Sequence, residues 1–497
     1  MKREGRGVSS HPKAQVWSCV LRLTPHPSPL TPHPSRRLIQ LKPQNIIAAA
    51  LTAAATVIFF VPPPFGAPPH LMHAAGLLLL AISLWATAVI PEHLTGLLFL
   101  CLCMLFAIAP ANVVFSGFTS GTLWLVLGGL VLAEAVRATG LGVRIARALF
   151  GRFTLSYFGL VAAAATIALL LAFLMPATVS RVLLLLPIFA AMAQRAGLAA
   201  GTPGHTGMAL AAIIVSFQCG VTVLPANAPN LVLAGAAETL YNIPIIYGNY
   251  LLLHFPILGC MKAGIIVVLI CWLFPAVTHA PDVHEAPTPM SPEERRLSVI
   301  LTGALVLWAT DFSHGIRPGW IALAAAIVTL MPRVGAIPHS VFPERIKLGS
   351  FFYVGAVLGF GAVMQDSGLG KVLGGAMLGT LHLAPGNDFM NFVKLTLLAT
   401  VTGLFTTNPS QPALLAPLAA QMAEVTGWRI ETALMTMVIG FSLMFMPYQA
   451  PPVMVGMQVA GVTLRQILRL TLPLAAVCLF VLMPLDFLWW RWLGYFR

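Results

Sequence analysis

Stretches of apolar residues recur along nearly the whole chain, from 45–62 through 121–136, 155–175 and 251–275 to 466–489. About 20 such residues span a bilayer as an α-helix. No polar shell could cover so many apolar runs: 58% of the 497 residues are hydrophobic and 9% are charged, against roughly 25% charged in a soluble domain. An all-α polytopic membrane protein is therefore expected, lying in the bilayer of the inner (cytoplasmic) membrane. A β-barrel would instead read as short alternating segments.

The net charge of +13 does not point to nucleic acid. Basic residues sit in short loops between apolar runs, as the positive-inside bias places them, and no basic stripe is interleaved with aromatics. The seven cysteines are scattered without a CxxC pair. They read as small buried hydrophobes, with no disulfide framework or zinc site. LTPHPSPLTPHPSRR (23–37) is Pro-rich and has no apolar face, so residues 1–44 are expected to form a disordered tail. A membrane enzyme would need convergent titratable groups. Within the apolar runs only Glu134, Arg181 and Lys262 stand out, with a few nearer the ends. Neither catalysis nor a resident cofactor is expected.

The chain also repeats itself. Gly140-Leu141-Gly142 matches Gly368-Leu369-Gly370, and PATVSRVLLLLPIFAAMAQRAG (176–197) matches TTNPSQPALLAPLAAQMAEVTG (406–427), with Pro187 over Pro417. LPANAPNLVLAG (224–235) matches MPYQAPPVMVGM (446–457), with Pro225 over Pro447 and Pro229 over Pro451. The order is the same in both series. This predicts two repeat halves, 45–277 and 297–497, joined by a cytoplasmic linker at 278–296. Arg144, Arg147 and Arg152 follow the first GLG, whereas Lys371 alone follows the second. Opposite charge bias at equivalent positions predicts inverted topology.

Pro225 and Pro447 each remove a backbone donor inside an apolar run and break a helix. Freed backbone groups at membrane depth are tolerated only where they line a cavity or are buried in protein. Paired breaks in inverted repeats mark the binding site of a secondary transporter. MPATVSR (175–181) precedes an apolar run of only about ten residues, too short to cross. It reads as a re-entrant hairpin with Thr178, Ser180 and Arg181 at its tip, and TTNPSQP (406–412) as its repeat, with Thr407, Asn408, Ser410 and Gln411. The breaks add Asn227, Asn230 and Gln449. Each residue also has a simpler role: hydroxyls bond carbonyls a turn back, Asn caps helix ends, and amides join helices. Arg181 stands out, because an arginine deep in the bilayer costs at least ~2.5–3.5 kcal/mol. It either neutralises an anion or snorkels to the headgroups.

GFTSGTLWLVLGG…TGLGVRIA, beginning at Gly117, resembles the Gly-Phe-Ser…Trp-Leu…Thr-Gly-Leu-Gly-x-Arg-Ile-Ala stretch of the divalent anion:sodium symporter family. The similarity extends over most of 45–497. It implies two inverted repeats, each with a re-entrant hairpin and an unwound helix, and a homodimer. It also implies sodium and substrate carboxylate held at hairpin tips that carry Ser-Asn-Thr. Here the second tip reads Thr407-Asn408-Pro409 and the first Ala177-Thr178-Val179, while Arg181 resembles the oxoglutarate/malate branch. The reading is a secondary active transporter of a small anion (dicarboxylate, sulfate or similar), with sodium or protons as the coupling ion. Its substrate contacts are Thr178, Ser180, Arg181, Asn227, Asn230, Asn408, Ser410 and Gln449, and its sodium ligands Thr407, Asn408 and Ser410. The alternative is a non-transporting membrane sensor that keeps the fold.

Overall fold

The computed structural model describes residues 43–64, 67–68, 70–153, 156–175, 177–278 and 289–496. The predicted tail lies, up to residue 42, outside the described residues, as does 279–288 of the predicted linker. Every described secondary-structure element is helical, and seven helices are long and apolar enough to cross a membrane.

The first series comprises α1 (Pro43–Phe60), α2 (Leu71–Thr87), α3 (Glu92–Leu105), α4 (Gly121–Thr139) and α5 (Leu141–Phe153). It continues with α6 (Tyr157–Leu174), α7 (Thr178–Arg195), α8 (Pro203–Thr222), α9 (Ala228–Tyr241) and α10 (Tyr247–Leu273). Local chemistry sets the ends. Ser120 accepts from the Thr122 amide to cap α4, which stops at Gly140, held at φ 81°; glycine takes that conformation without steric cost. Thr202 caps α8, with Pro203 in its first turn.

The second series is α11 (Pro292–Ala309), α12 (Pro318–Leu330), α13 (Gly349–Asp366), α14 (Leu369–Leu381) and α15 (Asp388–Phe405). Then come α16 (Ser410–Leu415), α17 (Ala419–Thr426), α18 (Ile430–Ser442), α19 (Pro451–Ala460) and α20 (Leu464–Trp492). Gly368, between α13 and α14, has φ 78°, so the matched GLG motifs take the same turn. Both series end on long helices carrying a widened, π-type segment beside a proline, Phe255–Met261 at Pro256 and Cys478–Leu482 after Pro473.

Two expectations need adjusting. The apolar run after Arg181 is short, yet α7 continues for 18 residues to Arg195 and is long and apolar enough to cross. The length argument for a hairpin therefore does not hold, because Ala190, Ala191, Ala193 and Gln194 extend the helix beyond the apolar run. The predicted linker also ends early. Residues 292–296 form the first turn of α11, where Ser291 and Glu294 make a capping box.

The packing between the two series is reciprocal. α4 lies along α12, and α3 along α13. A methyl on Gly128 would meet the Ala322 carbonyl carbon at 2.6 Å, and one on Gly96 the Ala356 side chain at 2.7 Å. Small residues let such backbones close up in a membrane. By the sequence repeat, Gly128 corresponds to Ala356, so each of the two contacts involves one member of that matched pair. Deeper in, α9 packs on α16 and α19 on α7. The helix after each break thus packs on α7 or α16 of the other series.

Candidate functional site

Each broken helix ends in a free carbonyl cluster and restarts within a few residues. α8 gives way to extended backbone at Val223, one tight turn over Leu224–Ala226, and extended Asn227 before α9. α18 gives way to extended Leu443, and after extended Met446 one tight turn over Pro447–Gln449 leads to extended Ala450 and α19. Both helices stop before the proline rather than at it, as the steric restriction on the residue ahead of proline requires.

Side chains satisfy the backbone that the first break frees. Arg181 Nη1 donates to the Met175 carbonyl at 2.6 Å and its Nη2 to the Ser216 carbonyl. Asn227 donates to Phe217 O at 3.1 Å, Tyr250 to Val221 O at 2.7 Å, and Asn230 to Val223 O at 3.0 Å. Thr178 Oγ1 lies 2.9 Å from Ala226 O and 3.0 Å from Asn227 Oδ1. A methyl on Gly220 would sit 2.8 Å from Arg181 Nη2, so glycine there makes room for the guanidinium. Arg181 has zero exposure. It does not snorkel; it neutralises the negative end of α8.

The second break is built the same way. Asn408 donates to Phe441 O at 2.9 Å, and its backbone amide to Gln449 O at 2.7 Å. Lys262, fully buried, donates to Ser442 O at 2.7 Å, so α18 also ends on a cation. The Gln449 amide accepts from the amides of Phe445 and Met446 and donates to Gly403 O at 2.9 Å. Gln411 Nε2 donates to Asn408 Oδ1 at 3.0 Å, and Thr407 Oγ1 and Ser410 Oγ lie 3.0 Å apart.

The structure therefore gathers Thr178, Arg181, Asn227 and Asn230 into one knot, and Thr407, Asn408, Ser410, Gln411 and Gln449 into another. Ser180 is half-buried and joins none of these bonds. Several buried polar atoms in or beside the knots have no protein partner: Arg181 Nε, Asn230 Oδ1, Ser216 Oγ, Gln218 Nε2 and Gln411 Oε1. The buried Tyr353 hydroxyl, also unpartnered, lies near Ser410 and Thr407. Sequence reasoning did not single out Ser216, Gln218 or Tyr353. The signal was a polar atom inside an apolar run, too common in membrane helices to select three residues. Among the described residues, no cluster of three His, Cys, Asp or Glu is placed to hold a metal ion.

Broken helices whose ends meet buried cations, inside a bundle of apolar spans, define the class: a multi-pass membrane transporter. The sodium:sulfate symporter transmembrane region matches residues 43–496; the chain belongs to that family. A membrane protein of Cupriavidus necator is 24% identical over 393 residues, 76% of each chain. Inner membrane protein YbhI of Escherichia coli is 22% identical over 63% of this chain and 68% of its own length. An uncharacterized transporter of Haemophilus influenzae is 24% identical over 63% of this chain and 67% of its own. Among solved structures, the YdaH transporter of Alcanivorax borkumensis superposes with a TM-score of 0.50 at 16% identity, covering 86% of this chain and 99% of that one. The protein is placed in the inner membrane, and its family is one of transporters, not enzymes.

Proposed function

We propose that the protein is a secondary active transporter that moves a small anion, such as a dicarboxylate or sulfate, by alternating access, with sodium or protons as coupling ion. The observation that carries this reading is the pair of equivalent helix breaks, each closed by a hairpin tip and a buried cation. The helices starting beside the first break, α7 and α9, have no side-chain cap. Their first-turn amides and positive dipole ends favour an anion, with Arg181 Nε as a further donor, whereas α19 opens with Pro451-Pro452, which carry no N–H. Thr407 Oγ1 and Ser410 Oγ, with Asn408, are the oxygens for a sodium ion.

An inverted repeat accounts for the packing. α4 and α12 start side by side, where Arg317 pairs with Glu238 and Glu238 accepts from the Gly121 amide at 3.1 Å. They also end together, with Arg345 lying 3.7 Å from Glu134. α13 then starts from the face where α4 ends, so equivalent helices run in opposite directions. That face carries Arg137, Arg144, Arg147, Arg295, Arg296 and Arg345, which makes it cytoplasmic. In this arrangement 178–195 and 410–426 are re-entrant arms, 45–277 and 297–497 the repeats, and the functional unit a homodimer.

Uptake of sulfate and of succinate into proteoliposomes tests the reading, with and without a sodium gradient. Arg181→Gln abolishes uptake while the protein stays monodisperse, and Asn408→Ala changes the cation dependence. Wild-type uptake of either anion excludes a sensor. An Arg181→Gln variant that binds and transports as wild type removes the anion site from this knot.

A further inference from the structure

Two more titratable groups are buried outside both polar knots. Asp486 on α20 and His254 on α10 have zero exposure. Neither oxygen of Asp486 and neither ring nitrogen of His254 has a hydrogen-bond partner. His254 is wedged between Tyr250, with ring centroids 4.7 Å apart, and Trp490 at 5.6 Å. Trp490 lies one turn beyond Asp486, and its indole N–H is near that carboxyl but outside hydrogen-bond geometry. Lys262 gives its ammonium to Ser442 O at 2.7 Å and not to Asp486, although its charge lies within electrostatic reach of that carboxyl.

Among the described residues, no charged side chain other than Lys262 acts on Asp486. α10 contributes Tyr250, His254 and Lys262, and Cys219 and Cys478 also lie near the Lys262 ammonium. α15 presents Phe389 and Phe392 to Phe487, while its own charged groups are engaged elsewhere. Asp388 accepts from Trp428 Nε1 at 2.8 Å, and Lys394 donates to His382 O at 2.8 Å. Arg491 on α20 is exposed.

We propose that Asp486 is a proton-binding site of the transport cycle, with Lys262 as its movable counter-ion. The proposal rests on the transporter reading and names its coupling ion. An unpaired carboxylate in a dry interior costs several kcal/mol, so with Lys262 on Ser442 the group carries a proton. When the proton leaves, the carboxylate attracts the ammonium. Lysine has a flexible four-carbon stem and three rotatable donors, so it can turn from Ser442 O to Asp486. One proton is then released per protein, and the end of α18 loses its cation. Phe441, one residue before Ser442, holds Asn408 of the hairpin tip. Proton occupancy at Asp486 thereby biases the second knot, and the net charge of the buried pair changes by one.

Infrared difference spectroscopy of the full protein in nanodiscs, titrated with buffer alone, reads the proton without any transported ligand. A protonated-carboxyl stretch that disappears on alkaline titration is expected. Asp486→Asn removes it, and Lys262→Gln moves its loss to higher pH by deleting the counter-ion. A band that survives in Asp486→Asn, or no titrating band in the wild type, overturns the proton site. Proteoliposomes loaded with sulfate or succinate supply the second arm. The wild type accumulates anion on an imposed pH gradient, and Asp486→Asn reaches only equal concentrations inside and out while still exchanging anion at equilibrium. If Asp486→Asn accumulates anion as the wild type does, the coupling role is overturned. If the wild type moves neither anion, the transporter reading fails while the infrared titration still decides the proton site.

Discussion

Replacing Gly403 with alanine tests the architecture of the second knot through one methyl group. Gly403 lies on α15, facing the tip, and a methyl there would stand 2.0 Å from Gln411 Nε2, 2.8 Å from its Cδ and 3.3 Å from Gln449 Nε2. Gln411 has to leave its place, which strips Asn408 Oδ1 of its 3.0 Å donor. A buried polar group left unpaired costs about 1–3 kcal/mol, and overpacking costs a further ~1–3 kcal/mol. Against this, alanine in a helix gains roughly 0.5–1 kcal/mol over glycine. The net is a loss of about 1–5.5 kcal/mol from these terms. The same exchange at Gly264 or Gly303, where a methyl would find nothing within 4 Å, leaves only the gain of about 0.5–1 kcal/mol. Thermal unfolding followed by tryptophan fluorescence in one detergent compares the three variants. Gly403→Ala is expected to melt below the wild type, and the other two at or above it. A Gly403→Ala variant that melts at or above the wild type would show that Gln411 and Asn408 are not held as described.

Three further outcomes are expected. Single cysteines at positions 147 and 371 should label from opposite faces of the membrane; labelling from the same face contradicts the inverted repeat. Glu238 accepts from Ser120 Oγ at 2.6 Å and from the amides of Gly121 and Thr122 at 3.1 and 3.2 Å, besides pairing with Arg317. Glu238→Ala should therefore lower stability by about 1.5–3 kcal/mol, the scale of hydrogen bonds to a charged group, and a variant as stable as wild type in chemical denaturation refutes this. At the start of α11, hydrogen bonds from Arg144 hold the Glu294 carboxyl below its ordinary value of 4.5. A depressed carboxyl contributes its stability above the unfolded value and loses it as pH falls through the folded one. The stability difference between wild type and Glu294→Gln in chemical denaturation should hence be constant near neutrality and shrink only in acid below 4.5.

The order of the helices and the place of both breaks were legible in the sequence, because each depends on local chemistry. Apolar length sets a span, Ser120 and Ser291 start helices, Gly140 and Gly368 permit a left-handed turn, and proline forbids the next helical bond. The repeat could be read because two matching segments meet the same local rules twice. The length of α7 was misjudged because the apolar run was measured alone, whereas the helix begins ahead of it at Thr178 and runs on to Arg195.

Only the tertiary structure decides which groups the polar residues meet. Arg181 was open to the headgroups or to an interior partner, and it is the carbonyls of Met175 and Ser216, the second well over thirty residues away in sequence, that bring it inside. Gln449 meets the amides of Phe445 and Met446 and the carbonyl of Gly403, none of them legible locally. Lys262 and Asp486 belong to different series, and no local pattern relates them. A buried charge is governed by whichever groups the fold brings within a few ångströms, because in a low-dielectric interior an unpaired charge costs more than any local preference can supply. Local rules placed the breaks in the chain; long-range packing chose which side chains close them.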